Sequence, residues 1–171
     1  MSSTLSPIDF ESSRQWAESI VSRLTLDEKI LLIGGKDAFF THPVERLGLT
    51  SVFFSDASQG VHLLEEFKGI RYEKRLERST QFPCMAMLAA TWNRQLAMAY
   101  AGAIGEECRA AGVPVLLGPG MNIYRHAQCG RNFEYLGEEP FLAAEMVRSY
   151  VTGLQSKGVI ATLKHFLANN T

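Results

Sequence analysis

The sequence predicts an α/β fold, read as an incomplete (β/α)8 TIM-type barrel of about the first four strands preceded by N-terminal helices. Three observations carry this. Apolar, β-like runs alternate with amphipathic helical segments, the rhythm of a mainly parallel sheet covered by helices. Polar residues with chemistry to offer follow the ends of those runs, where parallel α/β proteins place their sites. The length of 171 residues falls short of the ~250 that a closed eight-stranded barrel takes.

Trp16, Ile20 and Leu24 recur at helical spacing, and Thr25 followed by Glu28 makes a capping box ahead of Ile30, Leu31 and Leu32. Two short helices therefore open the chain, and Gly34 and Gly35 end the second. After a connector at 43–49, Ser51-Val52-Phe53-Phe54 reads as the first core strand, closing on Ser55 and Asp56. Residues 57–83 are rich in charge. There Leu63, Phe67 and Ile70 suit one helix face while Gly69 and the dense charges suit an ordered loop, and both readings stand.

The continuous apolar run 84–90 is expected as the second strand, and Asn93 as the cap of a helix bearing Leu96, Tyr100, Ala103 and Ile104 on one face. Gly112 stops that helix, and Pro114-Val115-Leu116-Leu117 gives the third strand. A polar and aromatic loop, 118–140, leads to a helix with Val147, Tyr150, Val151 and Leu154 at i, i+3, i+4 and i+7, and Glu138 and Glu139 suit its positive end. Val159-Ile160-Ala161-Thr162-Leu163 is the fourth strand and delivers Lys164 and His165 at its C-terminal end. An open half-barrel exposes strand edges, so the remainder of a barrel or self-association is expected to cover them.

With 17 basic and 18 acidic side chains the formal net charge is -1, which creates no field to recruit nucleic acid or an anionic membrane. A neutral ligand fits that balance. The first residues lack a basic stretch followed by an apolar region, and no segment approaches ~18 uninterrupted apolar residues, so a cytoplasmic protein is expected. Cys84, Cys108 and Cys129 form no C-x-x-C pair and read as free thiols in a reducing compartment. No metal and no cofactor are expected: His62, His126 and His165 come from separate segments without ligand spacing, and the glycines at 118 and 120 belong to no phosphate-binding motif.

Asp56 ends the first strand, where a carboxylate can accept hydrogen bonds from hydroxyls or cap a turn, and spacing leaves the two even. Arg131 offers a planar fork, but Glu134 three residues on favours a structural ion pair. Lys164 and His165 follow an apolar strand, where burial is costly unless the groups are used, and function is slightly ahead of a side chain reaching the rim. Cys129 beside Arg131 has no motif that would make it a nucleophile.

Taken together, S-D-A-S-Q-G-V, L-A-A-T-W-N, L-L-G-P-G-M-N-I, G-R-N-F-E-Y, E-E-P-F and L-K-H-F-x-x-N-N, in this order and spacing, resemble the N-terminal barrel domain of glycoside hydrolase family 3. The resemblance runs from about Leu24 to the end and points to the β-glucosidase and β-xylosidase branch. It divides the chain into an extension and helix, 1–24, and the N-terminal half of the barrel domain, 25–171. It implies that Asp56, Arg131, Lys164 and His165 hold the sugar of the first subsite. His62 stands where many members carry arginine, which implies a pH-sensitive contact in the same subsite.

The reaction implied is retaining hydrolysis of terminal β-D-glucosyl or related residues, on a β-glucoside or short β-linked oligosaccharide. In the family the nucleophilic aspartate follows a later barrel strand and the acid comes from a second domain. The aspartates here are Asp9, Asp27, Asp37 and Asp56, so both catalytic groups are expected beyond Thr171 and the chain alone is expected to be inactive. The alternative is a non-catalytic sugar-binding or assembly module built on the same loops.

Overall fold

The computed structural model of the chain describes residues 9–62, 66–67, 70–71 and 77–170. They fall into two compact units, Met1–Phe53 and Phe54–Thr171, a division inside the expected 25–171 segment rather than at residue 24.

In the first unit, Asp9 caps α1 (Phe10–Val21) by accepting from the backbone N–H groups of Glu11 and Ser12. The expected capping box starts α2 (Leu26–Gly34): Thr25 Oγ1 accepts from Glu28 N–H, and Glu28 accepts from Thr25 N–H. Ile20, Leu24 and Val44 are buried together with Leu32, Leu47 and Leu49 against them. Trp16, placed on the same stripe by its spacing, is exposed. Arg46 reaches back to the Glu28 carboxylate and the Arg23 carbonyl, tying the 45–47 turn to both helices.

The second unit is built on a three-stranded parallel sheet of β1 (Phe54–Ser55), β4 (Val115–Leu116) and β5 (Ile160–Ala161), in the order β1-β4-β5. Phe54 pairs with Val115, and Val115 with Ile160. The strands are short, and their outer residues continue as loop. Between β1 and β4, β2 (Glu66–Phe67) and β3 (Ile70–Arg71) pair antiparallel. This overturns the helical reading of Phe67 and Ile70, whereas Leu63 lies outside the described residues.

A second correction concerns 84–90. Instead of a strand, this run forms α3 (Met85–Ala90), so three parallel strands are present among the described residues where four were expected. The run contains Met, Leu and Ala and no β-branched residue, and these are strong helix formers that a short apolar run cannot distinguish from a buried strand by periodicity. Asn93 caps α4 (Arg94–Ala110) through Leu96 N–H, and Gly112, at φ 65°, turns the chain out of it. Glu139 caps α5 (Pro140–Gln155), accepting from Phe141 and Leu142 N–H.

Helices α4 and α5 pack on each other and carry a large share of the core, with Tyr100, Ala101, Ile104 and Cys108 on one helix and Met146, Tyr150 and Leu154 on the other. Each fully buried Leu, Ile or Met side chain contributes about 2 kcal/mol. Leu96, expected on the buried face, is exposed, and Ala97 takes its place. Tyr150 Oη donates to the Ser58 carbonyl at 3.0 Å and Tyr100 Oη to the Pro83 carbonyl at 2.8 Å, so both helices also hold loops that border the site.

Candidate functional site

Loops that follow the three parallel strands converge on a cleft of about 460 Å³ lined by Asp56, His62, Gln81, Phe133, Glu134 and Lys164, among others. Asp56 leaves β1 directly. Lys164 follows β5, and its backbone is gripped by the loop after β4: Lys164 N–H donates to the Pro119 carbonyl at 3.1 Å, and the Lys164 carbonyl accepts from Met121 N–H at 2.7 Å. His165 N–H then donates to Asn122 Oδ1 at 2.7 Å. Both Gly118–Pro119 and Lys164–His165 are cis peptides. The glycines at 118 and 120 serve close approach rather than phosphate binding, since a Cβ on Gly120 would sit 2.5 Å from the Glu134 carbonyl.

Four charged groups alternate in sign along the cleft wall. Lys164 Nζ lies 2.7 Å from Asp56 Oδ1 and 3.0 Å from Glu134 Oε2, and Arg131 Nε donates to Glu134 Oε1 at 2.6 Å. The Lys164 side chain is 12% exposed and that of Glu134 10%, whereas those of Asp56 and Arg131 are 43% and 45% exposed. Burial works against the Glu134 charge, but the hydrogen bond from Arg131 and the ion pair with the Lys164 ammonium outweigh it and hold the carboxyl below the ordinary range. The same pairing pushes the Arg131 guanidinium up.

His165 turns the other way. Its Nδ1 lies 2.9 Å from Tyr135 Oη and 3.0 Å from Asn169 Nδ2. Burial and then the positive charges of Arg131 and Lys164 lower its pKa, against the opposite pull of Glu134 and Asp56.

Of the residues read as sugar holders, Asp56, His62 and Lys164 border the cleft. Arg131 joins them through Glu134 rather than by lining the space, and His165 stands behind them against Tyr135. Glu134, read only as the partner of Arg131, is the hub: it takes cations from two loops and is 7% exposed. Gln59 and Phe133 were missed; Gln59 Nε2 donates to the Phe133 carbonyl at 2.7 Å and closes the wall between the β1 and β4 loops. Tyr135, Asn122 and Asn169 were missed as well. Their signal was their place inside the G-R-N-F-E-Y, G-M-N-I and A-N-N segments, not their chemistry.

Chemically, the wall presents two carboxylates and two cations that can exchange part of their mutual pairing for hydroxyl groups. Glu134 is not suited to give up a proton. Glu134 is held ionised, and general acid catalysis at a glycosidic oxygen needs a carboxyl raised toward neutrality.

The family model described as the glycosyl hydrolase family 3 N terminal domain matches residues 61–171. Curated relatives match further upstream as well. Thermostable beta-glucosidase B of Acetivibrio thermocellus is 45% identical over 153 residues, covering 90% of this chain and 20% of that protein. Beta-glucosidase BoGH3A of Bacteroides ovatus is 42% identical over 154 residues, covering 90% and 21%. Among solved structures, beta-glucosidase 3B from Thermotoga neapolitana in complex with glucose superposes with a TM-score of 0.79 at 42% identity, covering 91% of this chain and 23% of that one. The chain thus spans about a fifth of the length of the curated relatives it matches.

Proposed function

The chain belongs to glycosyl hydrolase family 3, and on that footing we propose that it supplies the sugar-gripping wall of the first subsite of a retaining β-glucosidase. In this reading the three parallel strands are the first part of a (β/α)8 barrel, and the cleft receives a terminal β-D-glucosyl or related residue. One observation carries it: the alternating Asp56, Lys164, Glu134 and Arg131 network set on loops that follow all three strands. Asp56, half exposed, accepts hydrogen bonds from hydroxyls; Lys164 and Arg131 donate to hydroxyl oxygens; Glu134 holds both cations in place. His62, on the cleft rim, is a further sugar contact.

Hydroxyl contacts of this kind raise rate as well as affinity, because they tighten as the ring approaches the oxocarbenium-like transition state. The nucleophile and the acid, in this reading, come from outside these 171 residues. Two features support that: Glu134 is locked ionised between cations, and Asp56 is engaged by Lys164.

A chimera tests the proposal: the chain joined to the complementary remainder of the Acetivibrio thermocellus enzyme, assayed on a chromogenic aryl β-glucoside. The chimera is expected to hydrolyse it and the 171-residue chain alone is not. Asp56→Asn in the chimera removes a charged acceptor worth roughly 1.5 to 3 kcal/mol in the transition state, a fall of about 10 to 10² in kcat/KM. Turnover by the chain alone, or an unchanged kcat/KM for Asp56→Asn in a folded chimera, overturns the assignment.

A further inference from the structure

His165 has two ring nitrogens, and its hydrogen bonds distinguish them. Asn169 Nδ2, a pure donor, lies 2.7 Å from Tyr135 Oη and 3.0 Å from His165 Nδ1. The Tyr135 hydroxyl accepts from Asn169, which leaves its own proton for His165 Nδ1 at 2.9 Å. Two donors therefore converge on Nδ1, and only a lone pair can receive them. Tyr135 is fully buried, its ring edge-on to the imidazole with centroids 5.9 Å apart, and its carbonyl accepts from Tyr124 Oη at 3.1 Å, so the hydroxyl is held in position. On the backbone side Asn122 fixes the His165 amide. Among the described residues Nε2 has no hydrogen-bond partner.

Resting on the reading of this site as a sugar subsite, we infer that Tyr135 and Asn169 are positioning residues that lock His165 in its Nε2–H tautomer, making its free ring nitrogen a donor to a sugar oxygen. The charged groups around the ring are Arg131, Lys164, Glu134 and Asp56. The two cations and the two donors at Nδ1 all oppose an imidazolium, so the donor is a neutral N–H. A hydroxyl that accepts from it keeps its own proton free for a carboxylate such as Asp56. The arrangement therefore selects a hydroxyl that accepts on the His165 side and donates elsewhere, which a ligand bearing a cation at that position cannot satisfy.

Long-range ¹H–¹⁵N correlation on the ¹⁵N-histidine-labelled 171-residue chain reads the tautomer directly, with His165 assigned through His165→Gln. The expected pattern is a protonated Nε2 and an unprotonated Nδ1 at neutral pH. Asn169→Asp keeps the shape but puts an acceptor at Nδ1; it is expected to move the proton to Nδ1 and to raise the His165 titration midpoint by about one pH unit or more. Tyr135→Phe, which keeps the buried ring, is expected to raise the midpoint by less. A protonated Nδ1 in the wild-type chain, or an unchanged pattern in a folded Asn169→Asp, overturns the inference.

Glucose added to the same samples separates the two ideas. A glucose-dependent shift at Nε2, with binding about tenfold weaker in Asn169→Asp, supports both. Equal binding by the two proteins overturns the link between tautomer and sugar. No glucose binding with the wild-type Nε2–H pattern intact removes the sugar reading and leaves the tautomer assignment standing.

Discussion

Lys164 is the ammonium on which the charge balance of the cleft turns, because it faces both carboxylates from a side chain only 12% exposed. In Lys164→Met, Asp56 can turn to water, but the buried Glu134 keeps only Arg131, and we expect a loss of about 2 kcal/mol in urea unfolding. The pH dependence follows from two lowered pKa values. Glu134 sits below its ordinary 4.5, so the stability it contributes is complete above that pH and is lost as pH falls through the folded value. His165 sits below its ordinary 6.5; the fold prefers the neutral ring, and stability declines as pH drops below 6.5. Both act in one direction, so the urea midpoint should be flat between about pH 7 and 8, fall as pH drops from about 6.5, and fall further below about 4.5; above about 9 the Cys108 thiol, pushed up to about 12 chiefly by burial, adds an alkaline decline. His165→Gln should remove the upper part of that decline and leave the lower. In the first unit, Glu28, drawn down to about 2 chiefly by its hydrogen bond from Arg46, adds to the acid limb.

At the scale of elements, the α4–α5 pair decides whether the loops at the cleft are held. The two helices approach so closely at Gly153 that a Cβ there would lie 2.1 Å from the Met98 carbonyl oxygen, a backbone atom that cannot step aside. A Cβ on Gly102 would meet the Lys157 side chain at 3.5 Å and the Gly153 carbonyl oxygen at 3.9 Å, both ordinary van der Waals contacts. Gly153→Ala should therefore destabilise by about 1 to 3 kcal/mol, while Gly102→Ala should be neutral or gain up to about 1 kcal/mol from helix propensity. Thermal unfolding of the pair measures the contrast, and equal effects would show that the approach at Gly153 is not the constraint. Tyr150 makes the functional link, since the helix that Gly153 brings close also holds the loop after Asp56 through the Ser58 carbonyl.

At the scale of the molecule, apolar surface gathers at and after β5, the end strand of the β1-β4-β5 sheet. Ile160, Leu163, Phe166 and Leu167 are 59%, 46%, 94% and 78% exposed. Beside them a groove of about 480 Å³ is lined by Met121, Ile123, Val147, Val151 and Leu163. Surface of this kind associates in water. The 171-residue chain is expected to self-associate in size-exclusion chromatography with light scattering, and the double change Phe166→Glu with Leu167→Lys to shift it toward monomer. A strictly monomeric wild-type chain at tens of micromolar would count against it.

Caps and turn residues were legible along the chain because they are local, whereas spacing alone put the exposed Trp16 and Leu96 on buried faces. Thr25 with Glu28, Asn93, Gly112 and Glu139 each act within a few residues, and each appears where its chemistry predicts. The ordered motifs also placed the chain in its family, since spacing over a hundred residues or more is itself sequence information. The apolar run 84–90 was misread because its helix is selected by packing and propensity rather than by pattern. What only the tertiary structure decided is how the distant loops meet. Glu134 becomes the hub because Lys164 arrives from β5, and the His165 ring is oriented by Tyr135 and Asn169, which claim its Nδ1. Pair energies between residues 30 or 100 positions apart depend on ångström distances that the fold sets, and neither composition nor periodicity encodes those distances.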